Sequence, residues 1–303
     1  MPATITELIA RIRRDQLSLG ITLYPPAGEV ELLAFERRKG IKLPADMREL
    51  YRFCNGFESA EDLFRLIPLG EIPAADAHTV APTDFHFAEY LQYCDMWTLA
   101  ASSTDPEAYT IYNRAEDTVT LTTSLSEFLA VFLTGGVFGA GSLYDWREAA
   151  YRQLLTNLYA PSFSFLTCRM DELNQLAESV RQRLRLSYDA EGVKFIAGFI
   201  ERTKGSLPPE EWPGLVNSLG SFLGCCILRN YGGQWQTDDE QGFCVAFDAQ
   251  NKVFPFAKTA KQFENGLVDS VYFFYTAIPV VFNRAASVAT VPAIPRKPWY
   301  KFW

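Results

Sequence analysis

The chain has 303 residues, 48% of them hydrophobic and 14% aromatic, which is enough apolar side chain for packed cores and excludes wholesale disorder. The length suits two domains of about 150 residues better than one. The formal net charge of −8, from 36 acidic and 28 basic residues, argues against a general binder of nucleic acid or of anionic membranes, which needs a basic surface.

Ile5 to Arg14 is short and amphipathic. The N-terminal stretch has no continuous apolar run and does not read as a secretory signal. Tyr24-Pro25-Pro26 breaks the chain. A helix follows, with Glu29 and Glu31 in its first turn, Arg37, Arg38 and Lys39 in its last, and Gly40 at its end, an order that suits the helix dipole. Pro44 opens the next helix. In it Met47, Leu50, Tyr51 and Cys54 fall at i, i+3, i+4 and i+7, which predicts Leu50 and Tyr51 buried with Glu49 and Arg52 exposed. Asn55-Gly56 stops that helix.

Strand-like pieces run from Leu63 to Leu69, Met96 to Ala101, Tyr109 to Tyr112 and Val119 to Thr122. Ser124 to Glu127 reads as a capping box opening a helix to Leu133, closed by Gly135-Gly136. Consecutive strands without intervening helices predict an α+β domain whose strands share one antiparallel or mixed sheet. The glycine-rich run Gly135 to Gly141 reads as a linker, since it lacks the Lys-Ser/Thr of a phosphate loop.

The second half opens with a helix carrying Leu173, Leu176, Ala177, Val180 and Leu184 on one face. Asp189 caps another, with Phe195, Ile196, Phe199 and Ile200. Ser206 with Pro208-Pro209 marks a third start, continued by Leu215, Leu219, Phe222 and Leu223. Strands are expected at Phe243–Phe247 and Val253–Phe256, and helices at Lys258–Glu264 and Asp269–Ala277. The domain plan is therefore residues 1–140, a connecting region 141–164, a second α+β domain 165–287, and a Pro-rich and aromatic tail 288–303. The most apolar late stretch, Val271 to Phe282, has 12 residues including Pro279, against about 20 for a membrane span. The expectation is a cytoplasmic protein.

Charge is spread unevenly. Residues 55–117 hold 12 acids and two bases, Arg65 and Arg114. Either this is a solvated face that keeps the protein soluble, or it is a docking surface for a basic partner. On the second reading the contact residues are Glu58, Glu61, Asp62, Asp76, Asp84, Asp105, Glu107, Glu116 and Asp117. The near-neutral second half offers an alternative contact through Tyr231, Trp235, Trp299 and Trp303, because aromatics are enriched at interface hot spots.

Catalytic and metal signals are weak. Six cysteines show no CxxC spacing and read as buried free thiols. His78 and His86, flanked by Asp76 and Asp84, read as two surface or half-buried histidines with no metal. There is no GxSxG, HExxH, Walker loop or GxGxxG, and no nucleophile with a base beside it. No catalytic residue, cofactor or metal is expected.

The first half carries a composite pattern. Glu36-x6-Leu43-Pro44-Ala45-Asp46-Met47-Arg48-Glu49-Leu50-Tyr51 precedes Asn55-Gly56-Phe57 and Arg65-Leu66-Ile67-Pro68-Leu69, and Ser126-Glu127-Phe128-Leu129 to Gly135-Gly136 closes it. Over residues 25–137 this resembles the SUKH superfamily, which includes the fungal cell-wall-assembly regulator and many bacterial immunity proteins. The resemblance implies a non-catalytic immunity protein against a polymorphic toxin, delivered for instance by type VI secretion. The partner would be a toxin domain of a chemistry the chain does not disclose (nuclease, deaminase, ADP-ribosyltransferase or other), bound 1:1, and the acidic balance predicts no nucleic acid or membrane partner. A regulatory scaffold is one alternative, and an enzyme in the second half that reverses the toxin's modification is another. The second half is similar to a bacterial domain of unknown role through Tyr231 to Trp235, Phe254 to Lys258, Lys261 to Gly266 and Asp269-Ser270.

Overall fold

The computed structural model describes residues 3–60, 63–76, 79, 81–102, 104–114, 117–159 and 170–282. The chain divides into two compact units, Met1–Tyr159 with Gln182–Leu186, and Ala160–Arg181 with Ser187–Trp303.

The first unit begins with α1 (Ile5–Asp15), held by a capping box that the sequence reading did not single out. Thr4 accepts from the Glu7 backbone and the Glu7 carboxylate accepts from the Thr4 N–H, so two orphan donors are satisfied reciprocally. Strand β1 (Ile21–Leu23) leads to α2 (Glu29–Lys39), which Gly40 ends at φ 67°. In α3 (Ala45–Phe53) the apolar stripe has the expected phase. Met47, Leu50 and Tyr51 are fully buried, as is Cys54 just beyond the helix, and Arg52 is exposed. Glu49 departs from the expectation: it is half-buried and accepts from Thr6 Oγ1 at 2.7 Å, which ties α3 to α1.

Six further strands follow: β2 (Phe57–Ser59), β3 (Phe64–Leu66), β4 (Phe85–Tyr90), β5 (Asp95–Ala101), β6 (Tyr109–Arg114) and β7 (Thr118–Thr122). With β1 they make one seven-stranded sheet in the order β1-β2-β3-β4-β5-β6-β7, each neighbour antiparallel. The unit is thus α+β with a single sheet. Helix α4 (Leu125–Gly135), capped by Ser124, lays Phe128 and Phe132 on the sheet. Phe132 stacks on Phe64 with ring centroids 4.1 Å apart, and Phe128 meets Phe87 edge-on at 5.1 Å. The short strands β1, β2 and β4 escaped the sequence reading. Three residues are too few to show alternation, and β4 is buried on both faces except at Tyr90.

The expected linker is part of the first unit. Gly135 approaches Gly141 so closely that a Cβ would lie 2.5 Å from the Gly141 carbonyl oxygen, and the chain folds back with Leu143 N–H on Gly136 O and Tyr144 N–H on Val137 O. Val137 is buried. Helix α5 (Leu143–Leu158), within the residues assigned to a connecting region, belongs to this unit, and Tyr144 donates to Asp95 at 2.6 Å.

The second unit contains α6 (Met170–Arg183), α7 (Ala190–Lys204), α8 (Trp212–Tyr231), β8 (Gln234–Asp238), β9 (Gly242–Ala246), β10 (Lys252–Val253), α9 (Pro255–Asn265) and α10 (Val271–Val281). Asp189 caps α7 by accepting from Gly192 N–H at 2.9 Å, as its position predicts. The strand expected at Val253–Phe256 is cut short, because Pro255 supplies the fixed φ of a helix start and opens α9. Helix α8 is buried along most of its length and lacks side chains where others must enter. A Cβ on Gly224 would lie 2.0 Å from the Trp235 ring, and one on Gly220 would lie 2.7 Å from the Phe256 ring. Buried Gln262 links α9 to its neighbours, donating to Ala197 O and accepting from Val271 N–H.

Candidate functional site

Strand period divides the first sheet into two faces. Phe57, Phe64 and Leu66 point to the core, so Glu58 on β2 and Arg65 on β3 point the other way. Glu58 pairs with Arg65, and Arg65 with Glu89 on β4, making a cross-strand ladder of alternating charge. Arg65 Nε donates to Glu89 at 2.5 Å, its Nη1 to Glu71 at 2.7 Å and its Nη2 to Tyr93 Oη at 3.3 Å. Burial works against the Arg65 cation, but these carboxylates hold it protonated, above its ordinary range. The Glu89 side chain is only 4% exposed. Its Oε1 takes the Arg65 bond, while Oε2 is buried with no hydrogen-bond partner among the described residues.

This ladder floors an open cleft of about 940 Å³. Tyr24, beyond the end of β1, donates to Glu58 at 3.2 Å; burial first, then the Glu58 charge, raises its phenol and keeps it neutral. The other wall is the β4–β5 turn. Leu91, Gln92 and Tyr93 have φ of 48°, 51° and 68°, and Leu63 at the entry to β3 has 52°. Four of the five non-glycine residues in the left-handed region among the described residues therefore line one cleft. Such backbone costs of order 1 kcal/mol or more per residue and clusters at functional sites. Leu63, Leu91 and Tyr93 are 54%, 43% and 56% exposed, so the rim is apolar and aromatic while the floor is charged.

The structure separates the acids of residues 55–117 into different roles. Exposed Glu58 lines the cleft, and Glu61, Asp62 and Glu116 lie outside the described residues. Successive turns of a meander alternate between sheet ends, so Asp105 and Glu107 in the β5–β6 turn sit at the end opposite the cleft's turns. There Asp105 accepts from Glu107 N–H, and Glu107 accepts from Ala45 N–H at the start of α3. Asp76 is half-buried, 3.6 Å from His86. Asp84 and Asp117 are 2% and 3% exposed, which corrects their assignment as surface contacts. Asp84 accepts from Tyr112 Oη at 2.9 Å, and burial raises its carboxyl.

His86 also differs from its expected loop position: it is in β4, buried, with Nδ1 2.7 Å from Thr98 Oγ1. His78 lies outside the described residues. Among the described residues no group of three or more His, Cys, Asp or Glu is placed to hold a metal. Cys54, Cys225, Cys226 and Cys244 are buried free thiols, whereas Cys94 is exposed; Cys168 lies outside the described residues.

In the second unit, Tyr231 packs on Tyr275 with centroids 5.0 Å apart, and half-buried Trp235 lies against Phe256 at 5.9 Å. Both act in packing. Trp299 and Trp303 lie outside the described residues. A smaller groove of about 330 Å³ runs between α9 and α10, rimmed by Lys252, Lys258 and Lys261. Two of these lysines are paired, Lys252 with Asp238 and Lys258 with Asp269.

Sequence reasoning missed Tyr24, Glu89 and the 91–93 turn as site residues. One signal was present: Leu91-Gln92-Tyr93 joins two strands without the Gly, Asn or Asp that a left-handed turn favours.

No helix among the described residues is long and apolar enough to cross a membrane. Neither a comparison with curated proteins nor one with solved structures found a match. Residues 26–131, which run from α2 into α4 and hold Glu58, Arg65, Glu89 and the left-handed turn, match the SMI1/KNR4 family (SUKH-1).

Proposed function

We propose that this chain is an immunity protein, which binds a cognate toxin domain in the cytoplasm and neutralises it by covering its active site, without chemistry of its own. The observation that carries this reading is the cleft on the SUKH part of the chain, where exposed Leu63, Leu91 and Tyr93 surround a charged floor. An exposed tyrosine and apolar side chains beside a charged floor offer the aromatic anchor that protein-binding hot spots favour. The match to the SMI1/KNR4 family (SUKH-1) agrees with it. An overall charge of −8 favours fast encounter with a basic partner, as a toxin acting on nucleic acid would be.

The test is co-expression with the toxin domain encoded beside this chain's gene. Growth should be restored, and the two proteins should co-elute as a 1:1 complex with the toxin intact and unmodified. Rescue without a stable complex, or a complex that leaves the toxin active, overturns the reading.

A further inference from the structure

We infer that the cleft between Tyr24 and Tyr93 is a receptor for a single cationic side chain, an arginine, presented by the protein partner; the inference rests on the binding role above and names what that site takes. Three observations converge. The residues lining the cleft carry two carboxylates, Glu58 and Glu89, against one guanidinium, Arg65. That guanidinium is already engaged by Glu89, Glu71 and Tyr93, so it offers little to an incoming anion. Glu89 holds Arg65 through one oxygen, and its other oxygen is buried beneath the cleft floor, so Glu58 is the carboxylate that stays exposed to the cleft without a cation of its own among the described residues. A donor-only ligand with a delocalised charge complements exposed Glu58, and the fork of a guanidinium matches a carboxylate better than the point charge of an ammonium. The aromatic walls suit the same ligand, because Tyr24 and Tyr93 both line the cleft and aromatic rings attract a cation while covering its methylene stem.

Tyr93 ends a turn of three consecutive left-handed residues and its Oη accepts from Arg65 at 3.3 Å, so this wall is present in the chain without a bound partner. Preorganisation of this kind lowers the entropy lost on binding.

The probe is N-acetyl-arginine amide added to the full chain, followed by NMR of tyrosine-labelled protein. Saturable shifts are expected at Tyr24 and Tyr93. The neutral isostere N-acetyl-citrulline amide should produce none. Glu58→Gln, at an exposed position that leaves the fold intact, should weaken binding by about two- to fivefold. Glu107→Gln, at the other end of the sheet, should leave it unchanged. Equal response to citrulline, shifts confined to other tyrosines, or equal sensitivity to Glu107→Gln overturns the inference.

The two readings fail separately. Arginine amide bound in the cleft of a chain that protects against no toxin keeps the receptor and removes the immunity role. A toxin bound with full affinity by Glu58→Gln keeps the role and removes the receptor.

Discussion

The two faces of the first sheet are built from the same strands yet depend on different physics. On the inner face, Phe57, Phe64, Leu66 and Trp97 are all within 1% of complete burial and interlock with Phe128 and Phe132 of α4. On the outer face, one residue along each strand, Glu58, Arg65 and Glu89 form a ladder that opens onto a cleft. The inner face gains stability from area removed from water and is indifferent to pH and salt. The outer face gains little stability from its charges and holds polar groups in a fixed array, which suits recognition. Substitutions one residue apart in sequence, on opposite faces, should therefore have sharply different costs.

The largest effect should come from Phe64→Ala. Its ring contacts Phe57, Trp97, Phe128 and Phe132, and the cavity left behind cannot collapse easily between a sheet and a helix. A loss of about 3–5 kcal/mol is expected in urea unfolding followed by circular dichroism. Leu50→Ala, on the stripe of α3, should cost about 2–5 kcal/mol for the same reason. A loss below about 0.5 kcal/mol at either site would place it outside the core.

Arg65→Met tests the outer face. It leaves the Glu89 carboxylate without its cation, but the neighbouring cleft admits water, so the cost should fall near the charged hydrogen-bond range of about 1–3 kcal/mol and not at the value for a sealed pair. The double variant Arg65→Met/Glu89→Met should recover most of it, since the penalty lies in the stranded charge. A double variant as unstable as Arg65→Met alone would make the ladder a stability element, and the distinction between the faces would dissolve.

The same division governs what the sequence discloses. The residues that carry the SUKH resemblance are largely scaffold. Glu36 accepts from Leu43 N–H at 2.9 Å and from Arg48 at 2.5 Å, joining α2 to α3. Asn55 receives Leu69 N–H at 2.9 Å and donates to Glu31 at 2.7 Å. Gly56, at φ 97°, leaves 2.3 Å between a hypothetical Cβ and the Leu66 carbonyl oxygen. These roles are local, and local spacing reveals helix starts, stops and stripes. Tyr24, Glu58, Arg65, Glu89 and Tyr93 come from five separate stretches that only the meander brings together. Charge counting found the acid-rich stretch but could not divide it, because Asp84 and Asp117 differ from Glu58 only in which face and loop the fold assigns them. The glycine run after α4 misled for a related reason: Gly135 and Gly141 serve a close backbone approach, which composition does not distinguish from a linker.

The smallest effect on stability belongs to the residue with the largest predicted role in binding. Glu58 is exposed, and its one side-chain hydrogen bond among the described residues, from Tyr24, is 3.2 Å long. Glu58→Gln keeps an acceptor at that position, so unfolding should shift by no more than about 0.5 kcal/mol. Binding should respond differently. With Glu58 neutral, the carboxylate of Glu89 remains, but Arg65 already compensates it, and the net attraction of the cleft for a cation disappears. The expected pattern is therefore an unchanged unfolding midpoint, a slower association with the partner, and an association rate that depends less steeply on salt. Raising the ionic strength should slow the native chain more than the variant. If the variant lost stability and affinity in proportion, Glu58 would be acting through the fold, and the outer face would differ from the inner one only in polarity.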